Sequence, residues 1–264
     1  MKHTLKITIF LFLLFLAAQV IGIFTINQYE KFPTLPFSIE RPTYDEQTSY
    51  LPIIIAIFIG TILALVLAKF RAFRIWKLWF FLSVLFTLII AFSAFMNQWI
   101  ALVLAMILSI WKVFRFNVIA HNLSELFIYA GLAAVFVPVL NLWSATILLL
   151  IISIYDMWAV WKSKHMIKLA EFQKDSQVFA GINVHYKKKR TAIIGGGDIA
   201  FPLLFAGVIL IKYNLISSLI VSLFASIALL LLLIYSKKDR YYPAMPFITA
   251  GCFAGFAVIK LFGL

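Results

Sequence analysis

Long apolar runs, each closed by a short cluster of polar or charged residues, recur from one end of the chain to the other. Crossing about 30 Å of hydrocarbon takes roughly 20 helical residues at about 1.5 Å each. Nine stretches come close to that length: residues 5–26, 51–69, 76–95, 98–114, 126–142, 143–162, 191–211, 214–236 and 242–262. The pattern predicts an all-α polytopic membrane protein with nine transmembrane helices. The least marked junction is Leu140-Asn141-Leu142-Trp143, where Pro138 weakens the helix and Asn141 offers turn chemistry. Without a break there, residues 126–162 would form one 37-residue run, too long to cross once.

Two hydrophilic segments interrupt this membrane domain, which spans residues 1–264. Residues 27–50 link the first two spans and carry Pro33, Pro36 and Pro42, which oppose regular helix. They are expected to form a solvated connector, or else a lid on which another protein docks. Residues 163–190 separate the first six helices (residues 1–162) from the last three (191–264). Met166, Ile167, Leu169, Ala170 and Phe172 among charges suit a short interfacial helix, and Val178 to Tyr186 has the partial alternation of a strand that could pair with an extended substrate.

Composition agrees with this picture: of 264 residues, 64% are apolar and 12% charged, more apolar surface than one soluble core encloses. The formal net charge of +13 is mainly a topological signal. With the N-terminus inside and the C-terminus outside, the inner side holds 19 of the 23 Lys and Arg residues, leaving only Lys31, Arg41, Lys212 and Lys260 outside. Merging the fifth and sixth spans would put the basic cluster at 162–190 on the outer side. The charge implies contact with anionic lipid, and no nucleic-acid partner is expected. Cys252 is the only cysteine, so no disulfide or cysteine-based metal site can form within one chain. The first run, preceded by Lys2 and Lys6, reads as a retained signal anchor.

Asp156 and Asp198 are the carboxylates placed well inside these apolar stretches. Such groups are costly there and mark function. Asp156 lies six residues before Lys162 and Asp198 eight after Arg190, so helical spacing would set both about 9–12 Å from the inner surface. Sequential antiparallel helices are neighbours, which lets the two side chains meet. A close pair of carboxyls shares one proton: the ionised member can take a proton from water attacking a carbonyl, while the neutral member hydrogen-bonds the carbonyl oxygen. That chemistry needs no metal, and no cofactor is expected.

The neighbours of Asp198 suit the role. Gly195, Gly196 and Gly197 precede it, at about 1 kcal/mol each in a helix interior, and Pro202 cannot donate to the Asp198 carbonyl. In the last span, Pro243-Ala244-Met245-Pro246 prevents a regular first turn and leaves backbone groups available near the aspartates' depth.

Tyr155-Asp156 in one span, Gly195-Gly196-Gly197-Asp198 in the next and Pro243-Ala244-Met245 in the last resemble the YD, GxGD and PAL motifs of the presenilin and signal peptide peptidase family of intramembrane aspartyl proteases, in particular its archaeal presenilin homologues. The resemblance covers essentially the whole chain. It implies that Asp156 and Asp198 are catalytic, that Tyr155, the three glycines, Pro202, Pro243, Ala244 and Met245 shape the site, and that the protein sits in a prokaryotic, archaeal-type cell membrane. Substrates would be transmembrane or signal-peptide-like segments, and no obligatory subunit is expected. Met245 stands where the motif has leucine, and Gly196 fills its variable position. The inner loop lacks the long insertion that presenilins cleave, which implies activity from an unprocessed chain. The N-in orientation resembles presenilins and implies substrates with outer N-termini.

Other polar residues carry less. His165 and His185 flank the inner loop without a metal-binding pattern, and His3 and His121 give no signal. Asn122 to Glu125 has the spacing of a helix N-cap with an acid at its third position. Two other functions fit an acidic pair: a prepilin-peptidase-like GxGD protease, which leaves Pro243 to Pro246 unexplained, and a proton relay in a transporter or channel, for which the internal repeats expected of a transporter are not evident.

Overall fold

A computed structural model describes residues 4–32, 34–41, 48–115, 117–163, 172–173, 178–186, 190–237 and 242–263. Among them are nine α-helices: α1 Leu5–Tyr29, α2 Tyr50–Lys69, α3 Phe73–Ser93, α4 Gln98–Phe114, α5 Val118–Phe136, α6 Leu142–Trp158, α7 Gly196–Lys212, α8 Leu215–Tyr235 and α9 Met245–Phe262. A two-stranded antiparallel sheet, β1 Gly181–Tyr186 and β2 Arg190–Gly195, pairs Gly181 with Gly195 and Tyr186 with Arg190. Seven helices are long and apolar enough to cross a membrane, whereas α4 and α7 have 17 residues each.

Helix α7 is the hub. From Ile199 to Leu210 every residue except Phe201 is buried, and α1, α5, α6, α8 and α9 pack around it. Two serines of α8 find backbone acceptors: Ser226 donates to the Ser222 carbonyl, and Ser218 to the Ala206 carbonyl across the α7–α8 contact at 2.6 Å. Small polar side chains of this kind let membrane helices approach closely without stranding a polar atom. Helices α2, α3 and α4 lie to one side around their own apolar clusters, with Ile55, Ile59, Ile62 and much of the outer face of α4 exposed.

Three sequence expectations change. The fifth helix starts at Val118, not near 126, because the Asn117 side chain accepts the N–H groups of Ile119 and Ala120. Its first turns are polar yet buried, so hydropathy reads them as loop. Asn122 and Glu125 are therefore interior helix residues and not a cap. The seventh helix begins at Gly196, not 191: Arg190–Gly195 is strand, which advances about 3.3 Å per residue, so helical spacing does not give the depth of Asp198. The sixth span keeps its expected extent, Leu142–Lys162: α6 ends at Trp158 and continues as a π turn over Ala159–Ser163. The break before it is real: a short turn at Val137–Val139 precedes Asn141, whose side chain accepts the Ser144 N–H.

Residues 34–41 of the connector after α1 are fastened down. Arg41 donates to the carbonyls of Tyr29 and Phe32 at 2.7 and 2.9 Å, and the Phe37 N–H donates to Gln98 Oε1 at 2.9 Å. The expected interfacial helix of the 163–190 segment lies mostly outside the described residues, although Phe172 is buried and stacks on Phe73. The expected strand forms as β1.

Candidate active site

Asp156 occupies the last turn of α6, beside the start of α9. The first N–H groups of a helix have no partner within it. Pro246, in the first turn of α9, has no N–H at all, which leaves Ala244 and Met245 as donors. The Met245 N–H donates to Asp156 Oδ2 at 3.1 Å, and the Ala244 N–H also reaches this carboxylate. One turn back, the hydroxyls of Ser153 and Thr249 are 2.8 Å apart and tie the same two helices together. Pro243 and the Met245 side chain are buried behind the contact. The backbone opened by the two prolines thus meets Asp156 itself.

Asp198 is the third residue of α7, and Gly195 is the N-cap. The Gly195 N–H reaches back to the Asp198 carboxylate, the donor half of a capping box. A Cβ at Gly195 would lie 3.2 Å from Asp198 Oδ2, so a side chain there would press on the carboxylate. Gly195 is not within the helix, so the propensity cost expected for three helical glycines falls only on Gly196 and Gly197, at its first two positions. Pro202 lies inside α7 one turn beyond Asp198 and is buried. Each aspartate therefore meets the electropositive N-terminus of a helix, α7 for Asp198 and α9 for Asp156, an arrangement suited to holding negative charge. Asp198 lies within electrostatic reach of Asp156.

Tyr155 faces α2: its ring meets Phe58 edge-on at 5.7 Å and its hydroxyl bonds to Thr61. A shallow apolar crease between α2 and α6, lined by Ile54, Ile57, Phe58, Ile151 and Ile152, lies beside it. Among the described residues, no three His, Cys, Asp or Glu side chains cluster as metal ligands.

Sequence reasoning missed a buried polar group on the other side of Asp198. Lys112 donates to Glu125 Oε1 at 2.5 Å, and both side chains are about 1% exposed. Lys112 also contacts His121 Nδ1 at 3.0 Å, and His121 Nε2 lies 2.8 Å from the Gly181 carbonyl. The Tyr129 hydroxyl donates to Glu125 Oε2, which also accepts the Gly181 N–H at 3.0 Å. From α1, Gln19 donates to the Ile199 carbonyl at 3.0 Å. The available signal was the spacing of His121, Glu125 and Tyr129, four residues apart and so on one helix face.

Among the described residues, the helical bundle thus places Asp156 and Asp198 at the N-termini of two of its packed helices, α9 and α7. The sequence model described as signal-peptide peptidase, presenilin aspartyl protease matches residues 8–263, and the chain belongs to that family. It is accordingly a multi-pass membrane protein and a hydrolase of the intramembrane aspartic class. No curated protein matches it. Two crystal structures of a presenilin family intramembrane aspartate protease have a similar fold at 20% identity. The one in space group C222 has a TM-score of 0.70, covering 95% of this chain and 97% of that one. The one in P2 has a TM-score of 0.68, covering 96% of each.

Proposed function

We propose that Asp156 and Asp198 are the catalytic pair of an endoprotease that cuts peptide bonds within transmembrane segments. The observation that carries this reading is that two carboxyls on the packed helices α6 and α7 each meet a helix N-terminus, within electrostatic reach of one another. Sharing one proton, the ionised carboxyl takes a proton from the attacking water while the neutral one hydrogen-bonds the scissile carbonyl and later protonates the departing amine. Gly195, whose missing side chain would meet only Asp198, leaves backbone room for the substrate there, and Tyr155 and the apolar face of α2 line its approach.

A transmembrane helix hides its carbonyls in its own hydrogen bonds, so cleavage needs a locally extended substrate. The β1–β2 sheet supplies a template. One edge of β1 is taken by α5, where Asn122 and Asn183 exchange two hydrogen bonds at 2.8 and 2.9 Å. Ile193 of β2 is exposed, and β2 runs directly into Gly195. A substrate strand added to β2 would carry its backbone toward Asp198. The bias of basic residues supports an inner location for this sheet and an N-in, C-out arrangement, with substrate N-termini outside. One chain, uncleaved and without a cofactor, metal or obligatory subunit, carries the activity.

Incubation of the purified protein with a labelled transmembrane peptide tests the assignment. New termini found by mass spectrometry, and lost in both Asp156→Asn and Asp198→Asn, are the expected result. Ion flux across vesicles without any peptide product would replace it with a proton relay.

A further inference from the structure

The Lys112–His121–Glu125–Tyr129 group is expensive to bury and touches neither of the proposed catalytic carboxyls by a direct hydrogen bond, so its contacts give its purpose. Three donors converge on the Glu125 carboxylate: Lys112, the Tyr129 hydroxyl and the Gly181 N–H. Lys112 is in turn shared between Glu125, His121 and the face of Phe80, 5.7 Å from the ring centroid. Because the ammonium can only donate, His121 Nδ1 accepts and its Nε2–H donates to the Gly181 carbonyl. Both backbone groups of Gly181 are therefore gripped from α5. Gly181 has φ +141°, a conformation that L side chains rarely adopt, so the hairpin begins at a residue that glycine alone fits well.

The grip does not end at the sheet. Gly196 donates to the Ala180 carbonyl at 3.3 Å, next to Gly181. A Cβ built on Gly196 would lie 2.8 Å from the Tyr129 hydroxyl and 3.3 Å from its ring. The hydroxyl is held by Glu125 and cannot swing away at no cost, so the space above Gly196 is already filled from α5. Asp198, two residues on, lies within electrostatic reach of that hydroxyl.

We propose that Tyr129, held by Glu125 and Lys112, is a positioning residue that fixes the Gly195–Asp198 turn by occupying the side-chain space of Gly196. This rests on the reading of Asp198 as catalytic. The group touches no substrate; it acts by holding one carboxyl where the reaction needs it.

A double-mutant cycle on the full-length protein, with turnover of a labelled transmembrane peptide and thermal unfolding measured together, decides the matter. Tyr129→Phe removes only the hydroxyl and is expected to lower kcat by about tenfold to a hundredfold with KM little changed, the signature of a displaced reacting group. Gly196→Ala places a methyl against the hydroxyl and is expected to lower kcat by about tenfold by the same displacement. In the combined variant the methyl occupies the vacated space, so the two losses should not multiply and turnover should recover to within about threefold of the parent. Lys112→Met with Glu125→Gln, which removes both buried charges together, should fold and show the same kcat loss. Wild-type kcat in Tyr129→Phe, or losses that multiply in the double variant, would overturn the proposal. So would wild-type kcat in the folded Lys112→Met/Glu125→Gln protein. Asp198→Asn in the same assay separates the two ideas: if it cleaves normally, the catalytic assignment itself fails, whereas an inactive Asp198→Asn beside a normal Tyr129→Phe sinks the positioning role alone.

Discussion

The two aspartates are held in unlike ways. Asp198 sits on a helix buried along nearly its whole length, and its turn is fastened by the Gly195 N–H, by Tyr129 above Gly196 and by Gln19 on the next carbonyl. Asp156 ends a helix that widens at once into a π turn; Tyr155 and Met157 beside it are partly exposed, and it is tied by the Met245 and Ala244 N–H groups at the start of α9. One carboxyl belongs to the packed core and the other to a contact between two helix ends. The difference implies that Asp198 is the fixed reference of the site, and that the α6–α9 contact sets where Asp156 lies relative to it.

The largest test strikes the fixed side. Glu125→Leu leaves the Lys112 ammonium buried without its counter-charge and should cost about 3–5 kcal/mol of stability. Adding Lys112→Met should return most of that, because the charge that needed a partner is gone. Unfolding followed in detergent micelles reads both, and a stable Glu125→Leu single variant would show that the brace on Asp198 is weaker than its contacts imply.

Smaller effects should divide the two carboxyls. Gly195→Ala brings a methyl to 3.2 Å from Asp198 Oδ2. Turnover should fall by about tenfold to a hundredfold from the displaced carboxyl, while stability changes by less than about 1 kcal/mol, the scale of an N-cap substitution. On the other side the backbone is the active part. Met245→Pro deletes the N–H on Asp156, whereas Met245→Ala keeps it and loses the same buried side chain. The proline variant should turn over about tenfold more slowly than the alanine one, a loss of about 1.4 kcal/mol, just below the lower end of the range for a hydrogen bond to a charged group. Equal rates would mean that this donor does not set the position of Asp156.

How much of this was legible beforehand depends on which physical signal each residue carries. The apolar runs announce the helices because burial in lipid needs length and little else, and Asn141 marks the break before α6 through its own capping chemistry. The aspartates and the Pro243–Pro246 segment were legible because charges and prolines are costly inside membrane helices. The start of α5 was not. His121, Asn122 and Glu125 look like loop residues to a hydropathy scale, and only the tertiary pairing of α5 with β1 makes them interior. The strand before Gly196 was hidden for the opposite reason: Thr191 to Ile194 is apolar enough to continue a helix, and its pairing partner lies across the hairpin. The roles of the glycines were half legible. Their missing side chains could be read as space, but that Tyr129 fills the space at Gly196 needs the fold.

The smallest expected effect concerns the residue that departs from the family motif. Met245 is buried to within 2%, with its side chain in the central cluster and its N–H on Asp156. Leucine has nearly the same volume and keeps the N–H, so Met245→Leu should cost less than about 1.5 kcal/mol of stability. Turnover should fall by no more than about threefold, because the group that meets Asp156 is unchanged. Measured beside Met245→Pro, this variant separates backbone from side chain at one position. If leucine instead slows cleavage tenfold while the protein stays folded, the packing behind α9 must be setting the distance between the aspartates, and Asp156 would be held by the core as firmly as Asp198.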